Sequence, residues 1–281
     1  MKEIFIYRQL EQIEFKHFFY PKLKHTDGKT LIVTEFVSDS GSLPVDRKFY
    51  DSAIKAILEL NTCDFPFYQI GGPGWVWERI NRWKFSRSTK TLRHLFESFF
   101  IARSMSFQVF VKILFFWARS FGSSSRLKKP LLVHRDIFHA NILRPDSKRT
   151  FFIDFEKMGM EKRWVFADAL KVILAGQSLS SKKQGGAADG FEFFAHLDPA
   201  LLKTYWDELL LKRPEIDPDP DNFNLQLKFC ILGWILSKLA KGKVSPATKR
   251  ELTLFIEKII LGPDSQLEKW LNESPVIDSL E

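Results

Sequence analysis

Apolar and polar positions fall into recognisable periods from the first residues onward. Between Lys2 and Phe15, the positions Ile4, Tyr7, Leu10, Glu11 and Glu14 recur at intervals of three and four, which predicts a helix. Tyr20-Pro21 breaks that pattern. Lys22 to His25 reads as a short strand and Asp27-Gly28 as a turn. Thr30 to Val37, TLIVTEFV, reads as a second strand because β-branched residues dominate it. The polar run Ser38 to Pro44 is a linker, and composition shifts after it. Helical spacing resumes from about Asp46 to Leu60. Asn61 to Pro73 contains Pro66 and Gly71-Gly72-Pro73 and reads as loop. A long helical segment, in one piece or two, runs from about Thr89 to Phe121, with a Ser- and Lys-rich loop from Gly122 to Pro130.

The middle of the chain changes character. Leu131-Leu132-Val133 predicts a short buried strand, Asn141 to Arg144 a second, and Thr150 to Ile153 a third, with a turn at Pro145-Asp146. From Arg163 onward the pattern is helical, with breaks expected at Gly176 to Gly190, Pro214 to Pro220, Gly242 to Pro246 and Gly262-Pro263. No internal repeat and no long low-complexity tract interrupts this organisation.

Composition narrows the class. The 281 residues are 45% hydrophobic and 27% charged, enough for a core without disulfide or metal staples. Cys63 and Cys230 form no CxxC pair, a usage that fits the cytoplasm. The N-terminus carries Glu3, Arg8, Glu11 and Glu14 and is no secretory signal. Phe96 to Phe121 is the most apolar stretch, but Arg103, Lys112 and Arg119 within it argue against a membrane span. The net charge of +8 is compatible with peripheral contact with an anionic membrane and equally with an ordinary solvated surface. No zinc spacing, RNA-binding aromatic signature or basic repeat points to nucleic acid.

The candidate chemistry lies in Val133-His134-Arg135-Asp136-Ile137-Phe138-His139-Ala140-Asn141-Ile142-Leu143 and in Phe152-Ile153-Asp154-Phe155-Glu156. Asn141 follows Asp136 by five positions, and Asp154 follows Asn141 by thirteen. A hairpin of the two short strands would bring Asn141 and Asp154 together. Phosphoryl transfer asks a protein for alignment and charge neutralisation more than for covalent chemistry. Asp136, on a loop, would accept the proton of an attacking hydroxyl. Asn141 and Asp154 offer the oxygen ligands that a magnesium ion prefers. Chance polar turns account for each residue singly but not for their joint spacing.

This constellation resembles the catalytic centre of the protein kinase fold, and more closely the aminoglycoside phosphotransferase, choline kinase and homoserine kinase group. That group uses H-x-D-x-x-x-x-N followed by an I-D-F or I-D-W strand; here stand His134, Asp136, Asn141 and Ile153-Asp154-Phe155. Phe138 occupies the position where Ser/Thr protein kinases carry Lys, and Glu156 the position of their Gly. The resemblance implies an α+β, protein-kinase-like fold: residues 1–38 as the remnant of an N-terminal lobe, a helix plus a strand pair, and 39–281 as a mostly helical C-terminal catalytic lobe. It implies ATP and Mg2+ as cofactors, a small-molecule or sugar hydroxyl as acceptor, and His134, Arg135 and Asp136 as the catalytic triplet. Glu35 to Val37 resembles the hinge strand that binds adenine, and Glu3 the helical Glu that pairs with a nucleotide-binding Lys. Asp168 resembles the family's Asp at the start of a helix beneath the catalytic loop, although helix N-capping explains it as well. His139 reads as a loop residue without partner ligands.

The family begins with a Gly-rich hairpin and a strand bearing the phosphate-gripping Lys, and neither precedes Glu3. Three explanations stand: a miscalled start or truncated gene; phosphate held by other cations, such as Lys22, Lys24 or Arg135; or a catalytically silent relative that serves as a binding or scaffold protein. The expected acceptor pocket, Thr62 to Trp83 and Gly176 to His196, is rich in aromatics such as Phe65, Trp75, Trp77 and Phe193, which could stack on a sugar or pack a core. A lipid-linked or envelope sugar, as in the distantly similar lipopolysaccharide kinases, fits the basic charge.

Overall fold

The computed structural model describes residues 2–28, 32–39, 45–65, 91–122, 131–161, 165–183, 199–216, 220–240 and 244–273. Helix α1 (Lys2–Leu10) buries Ile4, Ile6, Tyr7 and Leu10. It stops short of Phe15. The N–H groups of Gln12 and Ile13 reach back only three residues, to Gln9 and Leu10. Further on, the N–H groups of Lys16, His17 and Phe18 donate to the Glu59 carboxylate at 2.7, 2.6 and 2.7 Å. This carboxylate keeps the chain from Lys16 to Phe18 out of helical bonding.

Strands β1 (Leu23–Thr26) and β2 (Ile32–Thr34) form an antiparallel two-stranded sheet. Gly28 takes φ +77° in the turn, with its N–H on Thr26 Oγ1. The expected strand to Val37 ends early because its partner is only four residues long. One bond continues the ladder, from Glu35 N–H to the Lys22 carbonyl at 2.7 Å, and Phe36 then lies 89% exposed.

Helix α2 (Arg47–Thr62) is capped by Asp46, whose side chain accepts from Phe49 N–H. Its buried stripe, including Phe49, Ala53, Ile57 and Leu60, makes it the central element of the core, packed against β3 (Leu131–Val133), α4 (Ala167–Lys183) and α5 (Pro199–Lys212). The segment before the catalytic loop falls into two pieces. Residues 91–96 are helical and widen into a π turn at Glu97–Ile101. The chain then breaks at Arg103, which has φ +45°, before α3 (Phe107–Gly122).

Three short antiparallel pairings organise the middle: β1 with β2, β3 with β6 (Gly159–Glu161), and β4 (Ile142–Leu143) with β5 (Phe151–Phe152). Phe19 bridges to Phe151, and Phe18 stacks on Phe152 at 5.6 Å, fixing the N-terminal piece to the β4–β5 hairpin. The remainder is helical: α4, α5, α6 (Pro220–Ala240), α7 (Pro246–Phe255) running into a π turn at Ile256–Ile260, and α8 (Asp264–Glu273). The three later breaks fall where proline and glycine predict them. The first does not. Helix α4 runs through Gly176 to Lys183. A helical Gly costs roughly 1 kcal/mol, less than the burial of Leu170, Val172, Ile173 and Leu174 on the same helix contributes. The molecule is thus α+β, a small N-terminal helix and strand pair joined to a mostly helical body. No helix among the described residues is long and apolar enough to cross a membrane.

Candidate active site

The loop after β3 is shaped from beneath by one buried carboxylate. Asp168, in the first turn of α4, is fully buried. Its Oδ2 accepts from His134 N–H at 2.6 Å and its Oδ1 from Arg135 N–H at 3.0 Å. Asn61 of α2 adds a longer bond to Oδ2 at 3.5 Å and donates to the Leu132 carbonyl at 2.6 Å. The Tyr205 hydroxyl lies 2.6 Å from Asn61 Oδ1 and 2.8 Å from the Val165 carbonyl, tying α5 into the same network. These contacts offset the left-handed backbone of Arg135, φ +69°, which costs on the order of 1 kcal/mol for a residue with a Cβ. Arg135 itself is buried and lies across Gly159, where a Cβ would come within 2.6 Å of Nη1. The Lys171 ammonium caps the Arg135 carbonyl.

His134 is buried, and burial holds its pKa below the ordinary histidine range, so it is neutral. Its bonds fix the tautomer. Nε2–H donates to the Ile153 carbonyl at 3.1 Å, and Nδ1 accepts from Asp136 N–H at 3.4 Å. The ring therefore links the loop that carries Asp136 to the strand that carries Asp154.

The β4–β5 hairpin does the rest. Ile153 N–H donates to the Asn141 carbonyl at 3.1 Å, so the two segments meet side by side. The Asn141 amide nitrogen donates to the Asp136 carbonyl at 2.9 Å and to Asp154 Oδ2 at 3.4 Å. With both N–H groups so engaged, Asn141 Oδ1 is its remaining ligand atom. Asp154 sits at φ +64°, a conformation that Asp tolerates better than most residues. The Asn141 amide thus bridges the Asp136 backbone and the Asp154 carboxylate.

Glu3 joins them from α1. Its carboxylate accepts from Phe155 N–H at 3.2 Å, and Tyr7, one turn on, packs edge-on against the Phe155 ring at 5.0 Å. Burial raises the pKa of Glu3, and the neighbouring Asp154 and Glu156 charges raise it further. Among the described residues Glu3 has no ion-pair partner. Asn141 and Asp154 carry the oxygen donors that a hard divalent cation prefers, while no group of three or more His, Cys, Asp or Glu among the described residues is placed to hold a metal ion.

Glu35 and Val37 make no hydrogen bond or ion pair to this cluster among the described residues. The backbone N–H of Glu35 is taken by Lys22, and its carboxylate accepts from Lys22 N–H at 3.4 Å. The alternative cations are placed variously: the Lys22 ammonium 3.0 Å from Tyr20 Oη, Lys24 exposed on β1, and Arg135 buried. Most of the aromatic acceptor region, residues 66–90 and 184–198, lies outside the described residues; Phe65 is buried in the core. The His139 side chain also lies outside them.

Sequence reading missed one close contact of Asp136. Lys157 forms an ion pair with Asp136 Oδ2 at 2.6 Å, and this bond raises the lysine pKa. It stands three residues beyond Asp154, in the turn that leads into β6. A basic residue in a turn returning toward the catalytic loop was the available signal. Asn61 and Tyr205 carried none, since their partners are distant in sequence.

No family model matches the chain, and no curated protein does so either. Solved structures with a similar chain path exist. The complex of gentamicin with APH(2")-IIa is similar at 12% identity over 95% of this chain and 81% of that one, with a TM-score of 0.49. An aminoglycoside phosphotransferase from Alicyclobacillus acidocaldarius is similar at 13% identity over 99% and 82%, with a TM-score of 0.49. Spectinomycin phosphotransferase in complex with ADP and spectinomycin is similar at 11% identity over 97% and 82%, with a TM-score of 0.39. Likeness of this size does not assign chemistry, which has to come from the residues themselves.

Proposed function

We propose that this chain is an ATP-dependent phosphotransferase that moves the γ-phosphoryl group to a hydroxyl of a small molecule or sugar. The observation that carries the reading is the convergence of Asp136, Asn141 and Asp154 on one loop and hairpin, with Asn141 bonded to both partners. In this reading Asp136 accepts the acceptor's proton at Oδ1, while Lys157 holds Oδ2 and fixes the carboxylate plane. His134 keeps the loop in register with Asp154. Asp154 and Asn141 Oδ1 would hold magnesium, which when bound neutralises phosphate charge. Glu35 to Val37 would meet adenine through the backbone beyond Glu35 N–H.

A second reading, a kinase-like binding protein without turnover, is favoured by one observation. Glu3, which in the resembling family pairs with a lysine, spends its carboxylate on Phe155 N–H. An ATP-consumption assay against sugars, amino alcohols and homoserine, with calorimetry of MgATP binding, separates the two. Acceptor-dependent ADP release that requires Asp136 supports the enzyme. MgATP binding with no acceptor-dependent release supports the binding protein, and absence of both rejects each.

A further inference from the structure

Away from this site, the π turn and α3 carry an unusual surface. Phe96, Phe100, Ile101, Phe107 and Phe115 are 41, 63, 77, 67 and 71% exposed. They are not scattered. Phe96 stacks on Phe100 at 5.9 Å, Phe99 touches Phe100 at 4.8 Å and Phe107 at 6.0 Å, and Phe110 lies beneath them, 5.3 Å from Phe96 and 4.6 Å from Phe99. Phe115 extends the ridge, since Phe107, Val111 and Phe115 recur every four residues on α3.

The ridge has a built foundation. The π turn inserts one residue, Ala102 N–H bonding to the Glu97 carbonyl at 2.9 Å. Ser104 N–H and Oγ both donate to the Ser98 carbonyl, and Thr253 Oγ1 holds the Ser104 carbonyl at 2.8 Å. The inner faces meet α6: buried Ser98 donates to the Leu236 carbonyl, and Phe116 packs 6.2 Å from Phe229. The exposed rings therefore stand on a fixed scaffold and do not form the core.

Charge selects what such a ridge meets. Between residues 91 and 122 the single carboxylate is Glu97, and it pairs with Arg93 at 2.6 Å. Arg103, Lys112 and Arg119 are exposed, and Lys112, Phe115 and Arg119 fall on one stripe of α3. Aromatic rings flanked by cations on one helical surface match the acyl–headgroup boundary of a bilayer whose headgroups are anionic. A second copy of this chain would face the ridge with cations against cations. We infer that this ridge docks the protein onto an anionic phospholipid surface, with the phenyl rings entering the headgroup boundary and Arg103, Lys112 and Arg119 meeting lipid phosphates. This goes beyond the phosphotransferase reading and does not depend on it.

The test uses the full chain and vesicles of phosphatidylcholine, alone or with about 30 mol% phosphatidylglycerol. Wild type should sediment with the anionic vesicles and bind the neutral ones about tenfold more weakly or worse, with binding weakened by salt. Phe100→Asp/Ile101→Asp should lose about tenfold or more in affinity with unchanged thermal unfolding, because both side chains are exposed. Arg103→Glu/Lys112→Glu should remove the preference for anionic lipid. Phe100→Trp serves as a second measurement should the double aspartate variant fold poorly; the emission that it adds to that of the eight native tryptophans should shift to the blue and be quenched by brominated lipid. The inference is overturned if wild type ignores anionic vesicles, if Phe100→Trp emission is unchanged by them, or if folded aspartate variants bind as wild type does. It is equally overturned if light scattering shows a dimer that Phe100→Asp/Ile101→Asp dissociates while vesicle binding is absent.

Discussion

Two carboxylates within one loop system live in opposite surroundings. Asp168 is fully buried, and its oxygens accept two backbone N–H groups and the Asn61 amide. The Asp136 side chain is 18% exposed, and among the described residues it pairs with Lys157, whose own side chain is 51% exposed. The first arrangement fixes a backbone; buried charge-assisted bonds of this type are strong, and leaving their donors unpaired is costly. The second leaves a carboxylate oriented but reachable, as a proton acceptor requires. In the proposed reading, structure and chemistry thus fall to different acids, one in the first turn of α4 and one on the loop that it supports. The comparison is broken if mutating the inner acid spares stability, or if mutating the outer one destroys it.

The largest effect is expected at the outer acid. Asp136→Asn should lower turnover with any acceptor found in the panel by about 10²–10⁴-fold, the range for loss of a general base. Thermal unfolding and MgATP affinity should hardly move, because the amide keeps the shape of the side chain. Asp168→Ala should do the reverse in kind: about 3–5 kcal/mol lost in denaturant unfolding, since two charge-assisted bonds go and two buried N–H groups are orphaned. If Asp168→Ala unfolds at the wild-type midpoint, the inner network does not support the loop. Lys157→Ala tests the outer pair alone. An exposed ion pair contributes at most ~1 kcal/mol to stability, so unfolding should change little while turnover falls about tenfold for want of the cation beside the carboxylate. Lys157→Arg should recover part of that loss. A stability loss as large as that of Asp168→Ala would make Lys157 structural instead.

The outer site was legible in the sequence because local geometry sets it. A strand, a short loop and a hairpin bring Asp136, Asn141 and Asp154 together through bonds spanning at most a few turns of chain, and spacing reports such bonds faithfully. The inner network was not. Asn61 meets Leu132 across 71 positions and Tyr205 meets Asn61 across 144. Such contacts are set by helix packing, and a lone buried Asn or Tyr on a helix has no periodic signature. Asp168 was visible only as an acid at a helix start, where capping is the usual explanation; its bonds go to another segment instead. The same kind of tertiary contact holds residues 16–18 out of helical bonding, since their N–H groups go to Glu59 on α2.

His134 joins the two environments, and its titration gives the smallest and most specific test. Burial lowers its folded pKa below the ordinary value of about 6.5. Lys171 acts in the same direction, while Asp168 and Asp136 oppose it. On acidification the unfolded chain therefore takes up this proton before the folded chain does. The stability that neutral His134 contributes is fully present above about pH 6.5 and is lost as pH falls toward the lowered folded value. One proton limits the slope to about 1.4 kcal/mol per pH unit. Carboxylates also respond to acid, so the quantity that isolates the histidine is a difference. Urea unfolding of wild type and His134→Gln should be followed between neutral and mildly acidic pH. Gln places its amide nitrogen where His134 Nε2 lies and can still donate to the Ile153 carbonyl but takes no proton, so the wild-type curve should fall more steeply below pH 6.5 by up to that limit. Parallel curves would mean that His134 carries the same charge folded and unfolded, and that the ring linking Asp136 to the Asp154 strand is not held neutral.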